Sequence, residues 1–337
     1  MRTKRRLFRW LFFVFILCGI PLVPVFTQAG GGQHYPNGVE AFLIGVLPPP
    51  GFYIKEYNFF YTANKLKDNS GNTLKIEKAG VELDKLNVYG IIPRFIWVSK
   101  LNILGGSYGQ HLFIPLLKQD LKLDVATPGG PADLNERTEG VYDLIYSPFI
   151  WGWHSKEGLL HTVAALDIFI PVGPYDKGNL NNIGKNFWTF EPVFAITGFL
   201  PWDKNLSASI KFMYDFNTEN KSFIISPSVA AKIGNPALAG LDSDITPGQE
   251  FHFDYSVEYA LTKNFRAGIT GYFYQQVTND KTDFGTVEND KGRVFAIGPG
   301  AWYTYKNWIF ESHVAFETAA KNRPQGVTGL LNIIYKF

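Results

Sequence analysis

From residue 249 to 260 the chain alternates without a break. Phe251, Phe253, Tyr255, Val257 and Tyr259 fall on one parity, and Glu250, His252, Asp254, Ser256 and Glu258 on the other. Successive side chains of a strand point to opposite faces, so this segment predicts a strand with one apolar and one polar face. The period recurs in 206–216, where Leu206, Ala208, Ile210, Phe212, Tyr214 and Phe216 oppose Ser207, Ser209, Lys211, Met213 and Asp215. It recurs in 160–170, with Leu166, Ile168 and Ile170 among the residues facing away from His161 and Asp167, and in 308–317, with Phe310, Val314 and Phe316 opposing Glu311 and His313. Fainter alternation marks 52–62, 85–98, 107–121, 139–153, 187–198, 265–277 and 292–304. At 326–337 Val327, Gly329, Leu331, Ile333, Tyr335 and Phe337 share a parity against Thr328, Asn332 and Lys336, a pattern that Leu330 and Ile334 break. A soluble core has no need of five polar groups set so regularly behind five large apolar ones. A wall between lipid and a wet lumen does. The expected fold is all-β, a transmembrane antiparallel barrel of about twelve strands, an even number as such barrels require.

The connections carry a second signal. Those at 99–105, 154–157, 199–204, 262–264 and 305–307 are short, whereas 63–84, 122–138, 171–186, 217–248 and 278–291 are long and rich in Gly, Pro, Asn and Asp. Long and short alternate, as the outer loops and periplasmic turns of a barrel do, and only 318–325 is shorter than its place predicts. The alternation puts both ends of the barrel chain in the periplasm. The stretch 221–233 does not fit as a spanning strand and is expected to be a hairpin above the membrane. Trp202 and Trp308 lie beside short turns, where an interfacial aromatic belt would sit.

Composition agrees. The 337 residues include 29 Phe, 17 Tyr and 8 Trp, with 46% hydrophobic residues, yet mean hydropathy is near zero. Alternation produces that combination. At the N-terminus Arg2, Lys4, Arg5, Arg6 and Arg9 precede an uncharged run from Trp10 to Val25, and Thr27-Gln28-Ala29 offers a cleavage point. Residues 1–29 are therefore expected to be a secretory signal peptide, 30–51 an N-terminal segment, and 52–337 the barrel. Cleavage would move the formal charge from +2 to −3 and remove Cys18, the one cysteine. A mildly acidic chain has no electrostatic footprint for nucleic acid.

If the polar faces point inward, the lumen receives Asp143, Asp167, Glu191, Lys211, Asp215, Glu250, His252, Asp254, Glu258, Arg266, Arg293, Glu311 and His313. These residues either keep a wet interior and pair with one another or line a solute path. Asn332 and Lys336 would join them. His252, Asp254 and Ser256 share a face, but their spacing spreads them over ~13 Å, too far for a hydrolytic triad. No nucleophile elbow, metal-binding His pair or phosphate loop is present. His154 and His161 would sit on opposite sides of a turn, and the Asp-rich loop 278–290 lacks the spacing of a defined calcium site. No catalytic, cofactor or metal site is expected.

Several blocks then point to a relative. HYPNGVEAFLIGVLPPPG at 34–51, IPVGPYDKGNLNNIGKNFWTFEP at 170–192 and YDFNTEN at 214–220 are three of them. GQEFHFDYSVEY at 248–259, GYFYQQVTND at 271–280, RVFAIGPG at 293–300 and NRPQG at 322–326 follow in order. On these blocks the chain resembles the family of outer-membrane transporters named for the meta pathway of phenol degradation, akin to the channels for long-chain fatty acids and aromatic hydrocarbons. The stretch 221–246 departs from that pattern by its length. The family's name does not carry a substrate over. A lumen of about twelve strands is too narrow for a wide aqueous pore, and the chain lacks an energy-coupling domain. Together these lead to the expectation of passive uptake of hydrophobic or aromatic small molecules across the outer membrane of a Gram-negative bacterium. The resemblance also implies that residues 30–51 enter the barrel as a hatch. The alternative is a periplasmic tail, although Val39, Ala41, Phe42, Leu43, Ile44 and Val46 call for burial somewhere.

The expected partners are membrane lipid, a hydrophobic solute, and the barrel-assembly machinery through the strand ending at Phe337, with the chain a monomer. Two other functions stay open: a surface-binding or structural barrel working through its 217–248 loop, and a barrel hydrolase.

Overall fold

The computed structural model describes residues 33–127 and 130–337. The leader expected at 1–29 lies outside them. Twelve antiparallel strands close into a barrel. Strand β1 (Gly51–Leu66) pairs along one edge with β2 (Val81–Ile103), and a short helix α1 (Ile76–Ala79) lies between them in sequence. The next two wall strands are each built in two pieces. β3 (Gly106–Phe113) and β4 (Leu116–Thr127) both pair with β2, over Arg94–Ile103 and Val81–Ile91 respectively. β5 (Gly130–Val141) pairs with β4, and β6 (Leu144–His154) pairs with β3. The first break falls at Pro115, which has no N–H to give to the ladder. Backbone bonds still span it, from the Ile114 amide to the Pro93 carbonyl and from the Tyr142 amide to the Pro115 carbonyl, at 3.0 and 2.8 Å.

The wall continues through β7 (Leu160–Ile170), β8 (Thr189–Leu200) and β9 (Asp203–Asn217). The chain then leaves it for β10 (Asn220–Ile224), helix α2 (Pro227–Ile233) and β11 (Asp242–Thr246). It returns in β12 (Glu250–Ala260) and β13 (Phe265–Gln276), leaves again for the two-residue strands β14 (Lys281–Thr282) and β15 (Gly285–Thr286), and ends in β16 (Arg293–Tyr305), β17 (Trp308–Lys321) and β18 (Pro324–Lys336). Pairing of β18 with β1, from Tyr53↔Lys336 to Leu66↔Pro324, closes the ring.

Three expectations change. The stretch 122–138 is largely strand, and so are both ends of 63–84, because β1, β2, β4 and β5 run on past the body of the barrel. Leu121, Leu123 and Val125 alternate inward there and bury against Val81, Leu83, Ala63 and Leu66, which gives the extension an apolar core of its own. The stretch 221–233 is not a hairpin. β10 pairs with β11 in a separate small sheet with β14 and β15, and α2 is started by the Ser226 hydroxyl, which accepts from the Val229 amide, and by Pro227. Phe223, Ile225, Val229, Ala230, Ile245 and Val287 form the core of this outer unit.

The faces sort as the alternation predicts. In β12 the odd-numbered residues Val257 and Tyr259 are 50% and 40% exposed, while Asp254 and Glu258 are 0% and 1% exposed. Phe316 and Leu331 are similarly exposed on β17 and β18. An apolar exterior around a polar, enclosed interior is the build of a transmembrane barrel. Leu330, which breaks the alternation of the last strand, faces inward and packs with Tyr35, Val39, Tyr57 and Ile92.

Candidate functional site

The interior is filled by residues 33–50, whose backbone and side chains bond to inward-facing groups all around the wall. The Phe42 amide donates to Glu311 Oε1 at 3.0 Å and the Gly45 amide to Thr197 Oγ1 at 2.9 Å. Asp254 accepts from the Tyr35 hydroxyl at 2.8 Å and from the Gly38 amide at 2.9 Å. His313 Nε2 donates to the Gly38 carbonyl at 2.7 Å. Glycine is required at 38, where φ is +77° and a Cβ would lie 2.5 Å from the Tyr272 ring, and at 45, where one would lie 2.5 Å from the Thr197 nitrogen. Val39, Ala41, Phe42 and Leu47 are buried. The segment runs from Gln33, which accepts from Arg323 near the start of β18, to Pro49, whose carbonyl accepts from the Tyr53 hydroxyl near the start of β1. These two strand starts lie at opposite rims.

Glu40 is the electrostatic anchor. Its carboxylate accepts from Lys55 Nζ at 2.9 Å, Tyr57 OH at 2.7 Å and Arg94 Nη1 at 2.6 Å. Burial opposes its charge, but Lys55 and Arg94 override that and hold the carboxyl well below the usual range. Lys55 also reaches Glu311 Oε2 at 3.2 Å, and Arg94 Nη2 donates to His111 Nδ1 at 2.8 Å. That bond leaves the His111 proton on Nε2, which sits 3.0 Å from Asp167.

A second anchor lies at the start of the described segment. His34 Nε2 lies 2.9 Å from Asp143 Oδ2 and Nδ1 lies 2.6 Å from Thr189 Oγ1. Asp143 also accepts from the backbone amides of Gly173 and Lys185, both at 2.8 Å. Burial pushes the His34 imidazole below its ordinary value, although Asp143 pulls the other way.

Between this segment and the β1–β7 wall lies a cavity of about 190 Å³. Tyr35, Val39, Phe59, Ile92, Phe113 and Ile145 give it an apolar lining, and Asp167 and Lys185 add charge. A cavity of roughly 150 Å³ is enough for benzene, so this one has the size of a substituted aromatic ring. It abuts the β3/β4 break, since Pro115 and Tyr142 also line it.

Of the residues expected in the lumen, Asp143, Asp167, Glu191, Lys211, Asp215, Glu250, His252, Asp254, Glu258, Glu311 and His313 are buried in the interior. Arg266 is half-buried and donates to Ser207 and Glu258 at 3.1 and 3.4 Å. Arg293 is a correction. Register pairs it with Gln275 on the outward parity of β13, and its Nε donates to the Ala319 carbonyl at an exposed edge. Lys336 is exposed. His252, Asp254 and Ser256 belong to three separate networks, with His252 against Glu191 and Asp215, Asp254 holding the N-terminal segment, and Ser256 donating to Glu258. His154 and His161, expected on opposite sides of a turn, are cross-strand partners with their Nδ1 atoms 2.6 Å apart. The Asp-rich loop 278–290 carries the β14–β15 hairpin, and its Asp280 accepts from the Gly248 amide at 2.7 Å.

Sequence reasoning missed Lys55, Tyr57, Arg94 and His111, and within 33–50 it missed His34 and Glu40. Tyr53, Lys55 and Tyr57 do share a parity in β1, but Phe52 and Phe60 on the other face leave neither face plainly polar. Nothing local singles out Glu40. Its importance depends on strands 15 and 54 residues away.

A family model described as "Putative MetA-pathway of phenol degradation" matches residues 63–333. Among curated proteins, none matches the sequence. Among solved structures, an outer membrane channel from Pseudomonas putida F1 is similar over 90% of this chain and 100% of that chain, at 14% identity and a TM-score of 0.65. The transport unit of the autotransporter AIDA-I from Escherichia coli is similar over 88% of this chain and 94% of its own, at 10% identity and a TM-score of 0.51. A deletion mutant of TodX, described as a monoaromatic hydrocarbon channel, is similar over 94% and 99%, at 10% identity and a TM-score of 0.46. At such identities the likeness is one of fold.

Proposed function

We propose that this chain, which belongs to the MetA-pathway phenol-degradation family, is an outer-membrane channel of a Gram-negative bacterium for passive uptake of small hydrophobic or aromatic molecules. The observation that carries this reading is the 190 Å³ cavity, apolar on most sides, with Lys185 and Asp167 as its charged lining. It matches one aromatic ring carrying an acidic substituent. Burial lowers the Lys185 amine below its ordinary value, so a carboxylate or phenolate beside it would favour the charged ammonium. Residues 33–50 act in this reading as a hatch, seated by Glu40 and His34, that must shift for a solute to pass. Flow runs down a gradient, and the description of the Pseudomonas putida protein as an outer membrane channel supports the same class. The barrel works as a monomer and is inserted by the barrel-assembly machinery through its last strand.

The test is permeation in proteoliposomes, comparing benzoate with arabinose. The native barrel is expected to favour benzoate, and Ile145→Trp, which fills the cavity, to lower that preference at least threefold. An unchanged preference in the filled variant would remove the cavity from the path.

A further inference from the structure

Three acids and one imidazole meet inside the wall, outside the network that holds the hatch. Glu191 on β8, Asp215 on β9 and His252 on β12 are each at most 1% exposed. One ligand atom from each lies within 4.8 Å of the others. His252 Nε2 is 3.3 Å from Asp215 Oδ2 and 3.4 Å from Glu191 Oε2. Glu250, in register with Asp215, lies against both Asp215 and His252.

What sets this group apart is how little of it is hydrogen-bonded. Neither carboxylate oxygen of Glu191 or of Asp215, nor either ring nitrogen of His252, makes a hydrogen bond of good geometry. Glu250 uses Oε1 to accept from the Tyr274 hydroxyl at 2.8 Å, and its Oε2 makes none. Buried polar atoms are almost always satisfied, and leaving a charged one unsatisfied is costly. Here seven such atoms belong to this one group. Even with His252 protonated, three ionised carboxylates would leave the group with two excess negative charges. The nearest cation on these strands, Lys211, is turned to the Tyr35 hydroxyl and ring.

We propose that Glu191, Asp215 and His252, with Glu250 as a fourth donor, bind one divalent first-row transition-metal ion. The donor set decides the class. An ammonium group would gain a single hydrogen bond from a neutral imidazole, whereas a metal ion gains a coordinate bond from its lone pair. Calcium and magnesium prefer all-oxygen sites, and a mixed nitrogen and carboxylate set suits zinc or manganese. The ion would cross-link β8, β9 and β12 directly beneath Tyr35, whose ring centroid is 5.2 Å from that of His252. It would thus brace the wall on which the hatch rests. The sequence hid the site because each strand supplies only one or two of its ligands.

The test uses the full chain refolded in detergent with ZnCl₂, desalted, and analysed for metal by mass spectrometry. The native barrel is expected to retain about one zinc per chain, and Glu191→Gln/Asp215→Asn to retain at least tenfold less. His154→Ala/His161→Ala, which removes a close histidine pair outside the site, is expected to retain the native amount. Heat-modified migration on gels reports whether each variant has folded. His252→Gln provides a milder second variant, and Co²⁺ absorption of the native barrel, expected to show nitrogen and oxygen ligation, needs no variant. The proposal is overturned if the native barrel holds no zinc above background, or if zinc is lost with His154 and His161 and kept without Glu191 and Asp215. The first of those results would mean that the acids share protons instead.

Discussion

At the scale of single residues, the N-terminal segment is held by two side chains that do different work. Glu40 is the shared acceptor of Lys55, Tyr57 and Arg94. Removing one member of a buried ion pair leaves its partners uncompensated and costs about 3–5 kcal/mol. Glu40→Gln is therefore expected to loosen the segment, with the amides of Phe42 and Gly45 exchanging with solvent at least a hundredfold faster, on the order of 10²–10³. Unchanged exchange would mean that the apolar contacts of Val39 and Phe42 suffice.

His34 adds a dependence on pH. Because burial lowers its pKa in the seated state, that state prefers the neutral imidazole. Its contribution is complete above the ordinary value of about 6.5 and is lost as pH falls through the lower, seated value. Acidification is thus expected to unseat the segment and raise conductance in planar bilayers, and His34→Gln to flatten that response. A native conductance that falls on acidification would have the wrong sign.

At the scale of elements, alternation made the wall legible and pairing made the interior legible only in part. β12 announces itself because each of its residues obeys one rule. β2 does not. Ile91, Ile92, Phe95 and Ile96 are apolar on both parities, so Arg94 carried no facial signal, and only closure against β1 and β3 turns it inward. Arg293 failed for a related reason. It sits at the first residue of β16, where the bulge toward β17 shifts the register, and a strand end has too few residues to define its face. The extensions read as loops because their Gly, Pro and Asp content masks the buried Leu121, Leu123 and Val125.

Two measurements address these elements. Phe253→Arg places a cation on the outward face of β12 and should destabilise the inserted barrel by about 2–4 kcal/mol in folding titrations into bilayers. A neutral result would mean that this face is not against lipid. Leu123→Ala should cost about 2–5 kcal/mol, confined to the extension, so that limited proteolysis cuts within 116–141 while the barrel stays resistant. Loss of the whole barrel would show that the extension and the wall fold as one unit.

At the scale of the whole molecule, the closed wall, the threaded segment and the aromatic-sized cavity suit the proposed channel, which would owe its selectivity to the segment that occupies its interior. A wide aqueous pore would pass small sugars and aromatic acids alike, whereas here residues 33–50 occupy the interior and a cavity of about 190 Å³ lies beside them. The most direct measurement is the initial rate of radiolabelled benzoate entry into vesicles containing the native barrel, set against protein-free vesicles of the same lipid. Entry at least tenfold faster with the barrel is expected, and faster still when residues 33–47 are deleted. Entry at the protein-free rate in both cases would contradict the proposed channel.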